Sequence, residues 1–412
     1  MNAGLRFLVA ARRCEIDALE QLAHTGELVG AIGRLVHALQ KERGISNLFL
    51  ASGGTRCGPE RLRQIEACAA LEQAVRAGFE RLDTEARRVG DSARLFSRIA
   101  YVLPGLDALP GLRRRIAALA LTPAQATAAF VKLIAGLLAV VFEAADGATD
   151  PEISRLLVAM FNFMQGKEFA GQERALGAAA FAGGRHDEPR QQQWLHLIES
   201  QERCFQVFGE FASAPLQALW RDCQPPALRA ELERLRRIAF AGPAGSALDT
   251  GLGQVWFDGC TQRIDAMKAV EDRAAADLIA LCEGKTAQAR AELAGYRELF
   301  DSAAPAAFFD EAEPLAPASY GRQLERSVLD MVQEQSRRLQ AMNDELATVR
   351  AALNERKLVE RAKGLLMAHH RLSEDQAHKM LRQTAMNQNR RLVDVAESVL
   401  AMAEYLPRPA SN

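Results

Sequence analysis

The stretch LQKERGISNLFLASGG, Leu39–Gly54, places an arginine in the middle of an apolar helical stripe. At about 100° of rotation per residue, Arg43 falls on the same helix face as apolar residues on both sides of it. A guanidinium keeps its charge, and burying it alone costs several kcal/mol. We therefore expect a negatively charged group to meet Arg43. The apolar residues that share its face are Ile32, Val36, Leu39 and Leu50.

Length and composition indicate a helical protein of more than one domain. With 412 residues the chain is long for one compact domain and predicts two or three. Its hydrophobic fraction of 49% suffices for buried cores, and an aromatic content of 6% beside abundant Ala and Leu favours helices. The 51 Lys and Arg residues balance the 52 Asp and Glu residues, so any nucleic-acid site must be local.

Neither the cysteines nor the apolar runs predict a metal centre or a membrane span. The seven cysteines are scattered without a CxxC pair, which argues against a zinc cluster and favours reduced thiols. The most apolar run, LIAGLLAVVF at 133–142, is about half as long as the roughly 20 residues that cross a bilayer. We therefore expect a buried core helix there, no membrane association, no signal peptide and a cytoplasmic protein.

Hydrophobic periodicity predicts an all-α fold. Nearly every segment repeats its apolar residues every three or four positions, and we find no convincing alternation of the kind that marks a strand. About eight long helical patterns precede residue 300, and long helices with short connections pack as antiparallel bundles. Gly- and Pro-rich stretches predict the breaks between helices. These stretches lie at 104–111, 183–190, 223–227 and 242–253.

A different organisation follows residue 300. Residues 301–319 are rich in Ala, Pro and acidic side chains, which is typical of a linker. Over 320–355, apolar positions alternate spacings of four and three, a heptad seam that predicts a coiled-coil helix and a homodimer. The alternative is that the same stripe packs on the bundle within one chain. The seam consists of Val328, Val332, Gln335, Leu339, Met342, Leu346, Val349 and Leu353.

The opening stretch has a relative 131 residues further along the chain. The segment GQERALGAAAFAGG, at 171–184, aligns Glu173 and Arg174 with Glu42 and Arg43. Both copies end a long helix in small residues followed by glycines. This repeat predicts two related helical bundles, each with an arginine on the apolar face of a helix.

A third inward-facing arginine is predicted at Arg236, at the edge of the apolar face of ALRAELERLRRIAF. For any one of these arginines, the simplest interpretation is an internal ion pair with a neighbouring carboxylate. Several of them together instead favour a bound anion. Small neighbouring residues leave room for a compact ligand, and a planar anion suits the guanidinium fork. The small residues are Gly44, Ser46, Gly171 and Gly177.

Two stretches resemble known families. The C-terminal segments ERAKGLLM, LSEDQAHKMLRQTAM and NRRLVDVA resemble the ANTAR family, RNA-binding domains of transcription antitermination regulators, and place a three-helix domain at 356–405. The segments LQKERGISNLFLASGG and KEFAGQERALGAAAF resemble the NIT domain, a nitrate- and nitrite-sensing helical module, here 1–300. Many ANTAR proteins carry a phosphoacceptor receiver domain, but no βα alternation that would build one is present here.

The NIT resemblance implies that nitrate or nitrite is the anion that meets Arg43. The implied ligand-binding residues are Arg43, Arg236, Arg174, Gly44 and Ser46. Three arginines around one monovalent anion leave excess positive charge, so Glu42, Glu173 or Glu168 would neutralise one of them. No metal and no cofactor other than the effector ion is expected.

The ANTAR resemblance implies leader mRNA with paired hairpins as the target, which a dimer could engage with both of its RNA modules. By themselves, nine basic and seven acidic residues at 355–404 are a weak signal of nucleic-acid binding, since a solvated helical surface has the same composition. Specific RNA recognition uses unpaired loop bases, with basic side chains on phosphates. The predicted RNA-binding residues are Lys363, Arg382, Asn389, Arg390 and Arg391.

These observations predict a nitrate- or nitrite-responsive antitermination regulator that binds leader RNA and prevents termination upstream of nitrate assimilation genes. The alternative is a helical signalling or scaffold protein whose arginines form internal salt bridges and which has no RNA target. An enzyme is not expected, because the sequence contains no metal cluster, phosphate loop or plausible pairing of a histidine with a nucleophile.

Overall fold

The computed structural model is α-helical throughout the residues that it describes. In those residues it contains twelve α-helices and no strand, which confirms the predicted fold class. The described residues are 3–82, 92–185, 188–242, 246–302, 319–370, 372, 374–388 and 390–403.

The helices are numbered in chain order. Their bounds are α1 Ala3–Ala51, α2 Gly58–Glu80, α3 Ser92–Ala117, α4 Pro123–Asp146, α5 Pro151–Ala182, α6 Glu188–Phe211, α7 Ala214–Asp222, α8 Pro226–Phe240, α9 Leu252–Ser302, α10 Ser319–His370, α11 Glu374–Gln388 and α12 Leu392–Ala403.

Helices α1 to α4 form the first bundle. Glycines bring neighbouring helices close together: a Cβ at Gly78 would lie 2.9 Å from Leu28, and one at Gly136 would lie 2.8 Å from Val102. Helix α4 starts with a capping box, in which Thr122 accepts a hydrogen bond from the backbone N–H of Gln125. The two glycines therefore allow α1 to pack closely on α2, and α3 on α4, in the core of this bundle.

Helix α4 contains the apolar run predicted to be a core helix. It is the one helix in the described residues that is long and apolar enough to cross a membrane, and 61% of its most apolar window is buried inside the protein. One such helix is weak evidence for a span, because core helices share these properties. The burial of residues such as Ile134 and Leu137 confirms the predicted core helix.

The predicted break at 104–111 is wrong, because α3 runs straight through it with Pro104 and Pro110 inside the helix. Each proline removes a backbone donor, a cost that normally ends a helix. Here Val102, Leu106 and Leu109 are all at most 2% exposed, so burial of this stripe outweighs the lost hydrogen bonds. The other three predicted breaks are confirmed between α5 and α6, α7 and α8, and α8 and α9.

The second bundle contains parts of α5 and α9 together with α6 and α8. Its core centres on Trp194 and Trp256, whose rings lie 5.1 Å apart. A Cβ at Gly177 would lie 2.4 Å from Trp256, so glycine is required for this contact. The remainder of the core consists of Ala180, Phe181, Leu232, Leu235, Ala239, Leu248 and Cys260.

The predicted repeat is visible in the way α1 and α5 end. Gly53 and Gly184, 131 positions apart, both adopt a positive φ, 61° and 66° respectively. The Gly53 amide donates to the Leu50 carbonyl, and the Gly184 amide donates to the Phe181 carbonyl. Both helices thus end in the left-handed turn that favours glycine.

The chain divides into two compact units, and three long helices contribute to both. The first unit comprises residues 1–164, 211–220 and 268–346, and the second comprises 165–210, 221–267 and 347–412. Helices α5, α9 and α10 therefore continue from one unit into the other. The domain boundaries at 300, 319 and 355 stay predictions.

Helix α10 contains the predicted heptad seam. Its last members, Leu346, Val349 and Leu353, are at most 7% exposed within a single chain. This burial agrees with the alternative in which the seam packs inside one chain. Arg338 also pairs with Glu15 of α1 and Glu292 of α9. The side chains of Val328, Val332, Gln335 and Leu339 lie outside the described part of the structure.

The C-terminal end of α10 packs with α11 and α12 as the predicted three-helix domain. Its core consists of Ala362, Leu366, Ala377, Leu381, Ala385, Val395 and Ala396. Of the predicted linker, residues 303–318 lie outside the described residues, whereas 301–302 end α9 and Ser319 begins α10.

Candidate functional site

Helix α1 carries Arg43 into the first bundle. Its side chain is 1% exposed, and the stripe residues Ile32, Val36 and Leu39 are fully buried, as the periodicity predicts. Ser46, one turn further along, is also fully buried, and its hydroxyl has no hydrogen-bond partner among the described residues. A cation and an unsatisfied hydroxyl are therefore neighbours on one helix surface.

The carboxylate beside Arg43 binds a different arginine. Arg113 of α3 donates from Nε and Nη2 to the two oxygens of Glu42, each at 2.8 Å, and Glu42 is fully buried. Burial alone would lower the pKa of Arg113, but the hydrogen bonds and charge of Glu42 raise it. Arg113 was missed in the sequence, although its spacing from Leu106 and Leu109 places it on the buried face of α3.

The second bundle contains the same type of ion pair. Arg236 of α8 donates from Nε and Nη2 to the two oxygens of Glu173, at 2.8 and 2.7 Å. Glu173 also accepts hydrogen bonds from Trp194 at 3.0 Å and Gln201 at 2.6 Å. Burial would raise the pKa of Glu173, but the Arg236 charge holds it below the usual range. A role for Arg236 in ligand binding stays a prediction.

Arg174, the counterpart of Arg43 in the repeat, is 6% exposed. Its Nη1 donates to the hydroxyl of Thr261 at 3.0 Å, and its guanidinium lies 5.1 Å from the ring centre of Phe257. Lys167 and Glu168, earlier on α5, are also buried, and Glu168 accepts a hydrogen bond from Gln172. A role for Arg174 in ligand binding stays a prediction, as does one for Gly44, which is half-buried.

The predicted RNA-binding residues lie in the C-terminal domain, where each of the described ones has partners within the protein. Lys363 is 6% exposed and pairs with Glu360 at 2.9 Å. Arg390 donates to Ser398, and Arg391 pairs with Asp394 at the start of α12. Asn389 lies outside the described residues.

The fifth predicted RNA contact, Arg382 of α11, pairs with Glu199 of α6 at 2.6 Å. Beside this pair, Arg203 of α6 donates to Nε2 of His378 at 2.9 Å, and the rings of His196 and His378 lie 4.9 Å apart. A face of the C-terminal domain is thus held against α6 within the second unit.

His378 must be neutral in this contact, because its Nε2 accepts a hydrogen bond from a guanidinium. Burial lowers the pKa of His378 to about 3, helped by the positive charges of Arg203 and others nearby. In the described part of the chain, no group of three His, Cys, Asp or Glu side chains is arranged to hold a metal ion.

Comparisons with known proteins identify the families that the two parts of the chain match. Residues 34–279 match the family described as nitrate and nitrite sensing (NIT), and residues 347–400 match the ANTAR domain. The chain is 37% identical over 398 residues to the nitrate regulatory protein of Klebsiella oxytoca, covering 95% of this chain and 93% of that one.

Two further matches agree. The solved structure of the NasR transcription antiterminator superposes with a TM-score of 0.62 at 32% identity, covering 97% of this chain and 99% of that one. The transcriptional regulatory protein PdtaR of Mycobacterium tuberculosis is 39% identical over 72 residues, which are 18% of this chain and 35% of that protein.

The class of protein is a regulator that carries a helical sensor and a three-helix effector domain in the same chain. The chain belongs to the NIT family, and it is a nitrate-responsive transcription antitermination regulator that joins a NIT sensor to an ANTAR domain. Both matched domains are regulatory modules, and RNA and nitrate are the partners that such regulators imply.

Replacing Glu173 by Gln is expected to destabilise the protein by about 3 kcal/mol, because Arg236 would lose its buried counter-charge and keep only the exposed Glu233. Glu233→Gln removes the other carboxylate on Arg236, which is 55% exposed, and should cost less than about 1 kcal/mol. Urea denaturation of both variants measures the difference. Equal losses would contradict a dominant role for the buried pair.

The His378 contact is expected to weaken in acid. The pKa of histidine is about 6.5 in the unfolded chain, so below that pH the unfolded state binds more protons than the folded state. The contribution of this contact to the free energy of unfolding is largest above about pH 6.5 and falls as the pH decreases, by about 1.4 kcal/mol between pH 7.5 and 5.5. Denaturation at both pH values should show this loss in wild type and much less of it in His378→Asn. The exposed His24→Asn control should behave as wild type, and an unchanged pH dependence in His378→Asn would contradict this account.

Proposed function

We propose that nitrate or nitrite binds in the first bundle at Arg43, with Ser46 and Gly44 beside it on α1. The observation that carries this proposal is a guanidinium 1% exposed next to a fully buried hydroxyl without a partner, inside the segment that matches the NIT family. Nitrate is flat and weakly hydrated, so charge-assisted donors in a dry site compete well with water for it. No cofactor other than this effector ion is required, and no catalytic activity is proposed.

The output is RNA binding by the C-terminal domain. Its target is leader mRNA with paired hairpins upstream of nitrate assimilation genes, which a homodimer engages with two modules in the cytoplasm. Arg382, Asn389, Arg390, Arg391 and Lys363 are the proposed contacts, with the basic groups on phosphates or loop bases. Arg390 and Arg391 are already exposed, which supports this role.

The contact between α11 of the C-terminal domain and α6 holds that domain in the arrangement that does not bind RNA. Arg382 cannot bind Glu199 and an RNA phosphate with the same donors, so the domain is released before that arginine reaches RNA. The effector ion favours the released arrangement, which requires that it bind this arrangement more tightly than the restrained one. The RNA structure stabilised by the released domain then excludes the terminator.

Isothermal titration of the purified protein with nitrate, nitrite, chlorate and chloride tests the ligand. Heat from nitrate or nitrite and none from chloride supports the sensor. Absence of heat from both effector ions would favour the alternative of a scaffold with structural salt bridges.

Arg43→Ala is expected to weaken nitrate binding at least about tenfold, because a charge-assisted hydrogen bond contributes roughly 1.5–3 kcal/mol. Arg43→Lys should restore little, since the planar fork is lost. The matched control is Lys41→Ala, two residues earlier on α1 and exposed. Calorimetry measures all three affinities, and wild-type affinity in Arg43→Ala would exclude this site.

Glu199→Arg is expected to raise RNA affinity in the absence of nitrate about three- to tenfold, because it replaces attraction of Arg382 by repulsion worth roughly 1 kcal/mol. Glu202→Arg adds the same charge to an exposed position of α6 and controls for general attraction to RNA. Gel-shift titration of the full chain compares them. Equal effects of the two substitutions would mean that the α6 contact does not restrain RNA binding.

A further inference from the structure

Helix α2 buries a second arginine that the sequence analysis did not identify. Arg61 lies in the first turns of this helix and is 5% exposed. Its guanidinium lies over the ring of Phe49, 5.0 Å from the ring centre. Among the described residues, its Nε and Nη1 have no hydrogen-bond partner. Two buried, charged donors without acceptors are costly, so they indicate that an acceptor belongs there.

The neighbouring protein groups that the structure describes do not provide this acceptor. The carboxylate whose charge attracts Arg61 is Glu42, but both of its oxygens already accept hydrogen bonds from Arg113. Burial lowers the pKa of Arg61; attraction by Glu42 opposes this, and repulsion by Arg113 adds to it. Arg43, Arg61 and Arg113, set against Glu42 and against Glu72, which lies 3.9 Å from Arg113, carry one net positive charge.

The second bundle contains a similar group of buried arginines and a glutamate, whose hydrogen bonds are provided by residues of the bundle itself. Arg263 also lies over a phenylalanine, 5.9 Å from the ring centre of Phe205, but its Nη1 donates to Gln201 at 3.1 Å. Gln201 in turn donates to Glu173, which binds Arg236. None of these side chains has an unsatisfied buried nitrogen or oxygen. The unsatisfied donors of Arg61 thus have no counterpart among these side chains of the second bundle.

The position of Arg61 relates it to the proposed ligand site. Phe49 follows Ser46 by three residues on α1, so the two side chains are neighbours on the helix surface. The guanidinium over Phe49 thus contacts the residue one helical turn from Ser46, whose hydroxyl is also unsatisfied. Because Phe49 covers one face of the guanidinium, its N–H donors remain directed outward in the plane of the group.

We propose that Arg61 is a ligand-binding residue for a small monovalent oxyanion, and that it donates from α2 to the same ion that Arg43 and Ser46 bind from α1. This inference rests on the proposed function, in which nitrate or nitrite is the effector. One net positive charge is neutralised by a monovalent anion, whereas a phosphate dianion would leave excess negative charge in a buried site.

The test is nitrate titration of the full chain by calorimetry, comparing wild type with Arg61→Met. Methionine keeps much of the side-chain length and lacks the donors, so nitrate affinity should fall at least about tenfold. Arg61→Lys keeps the charge but not the fork and should lie between the two. The matched control Arg63→Met changes an arginine of the same helix that is 71% exposed, and it should bind nitrate as wild type does.

Thermal melts separate ligand binding from a structural role. In a buffer whose only anion is a large organic one, Arg61→Met should melt no lower than wild type, because it removes an unsatisfied buried charge. Added nitrate should raise the melting temperature of wild type and of Arg63→Met, but not that of Arg61→Met. Should Arg61→Met fail to fold, the same two measurements on Arg61→Lys decide the question.

Each outcome has one meaning. Nitrate affinity in Arg61→Met equal to that of wild type overturns the role of Arg61 and leaves the proposed function intact. A lower melting temperature without nitrate, with an undiminished increase on adding it, overturns the role in favour of a structural arginine. A wild-type chain that binds neither nitrate nor nitrite overturns the proposed function, and this inference with it.

Discussion

The organisation of both bundles depends on a buried carboxylate held by an arginine fork from another helix. Glu42–Arg113 and Glu173–Arg236 have nearly the same geometry, with two donor–acceptor distances of 2.7–2.8 Å in each pair. Separation of such a pair would leave a charge in the core, which is costly enough to fix the register of the two helices. Because each carboxylate is committed in this way, it is no longer available in full to the arginine that follows it in the sequence.

The buried polar groups of the two bundles are satisfied to different extents. In the second bundle, Trp194 and Gln201 complete the hydrogen bonding of Glu173, and the cluster is closed. In the first bundle, the donors of Arg61 and the hydroxyl of Ser46 stay unsatisfied among the described residues. The proposed ligand site therefore lies in the bundle whose buried donors are left without acceptors. Helix α6 then connects the closed cluster to the output, since Gln201 lies between the two residues, Glu199 and Arg203, that hold α11.

The helical fold, the repeat and the burial of Arg43 could be predicted because each depends on local periodicity. The partner of Glu42 could not, since Arg113 lies on another helix and only tertiary packing selects it among several arginines. Prediction from local signals also failed at Pro104, where burial of the surrounding apolar stripe outweighs the lost backbone hydrogen bond. In the heptad seam of α10, Leu346, Val349 and Leu353 are buried, but a sequence pattern does not distinguish packing within one chain from packing between chains.

In the proposed mechanism, binding of the effector ion frees the C-terminal domain for RNA. The most direct measurement is the affinity of the full wild-type chain for a leader RNA with paired hairpins, by fluorescence anisotropy, in nitrate and in chloride at equal ionic strength. Equal ionic strength is essential, because phosphate contacts make RNA binding depend strongly on salt. The account predicts that nitrate tightens binding at least about tenfold, the effect of roughly 1.4 kcal/mol of differential affinity. The same affinity in both salts would contradict it.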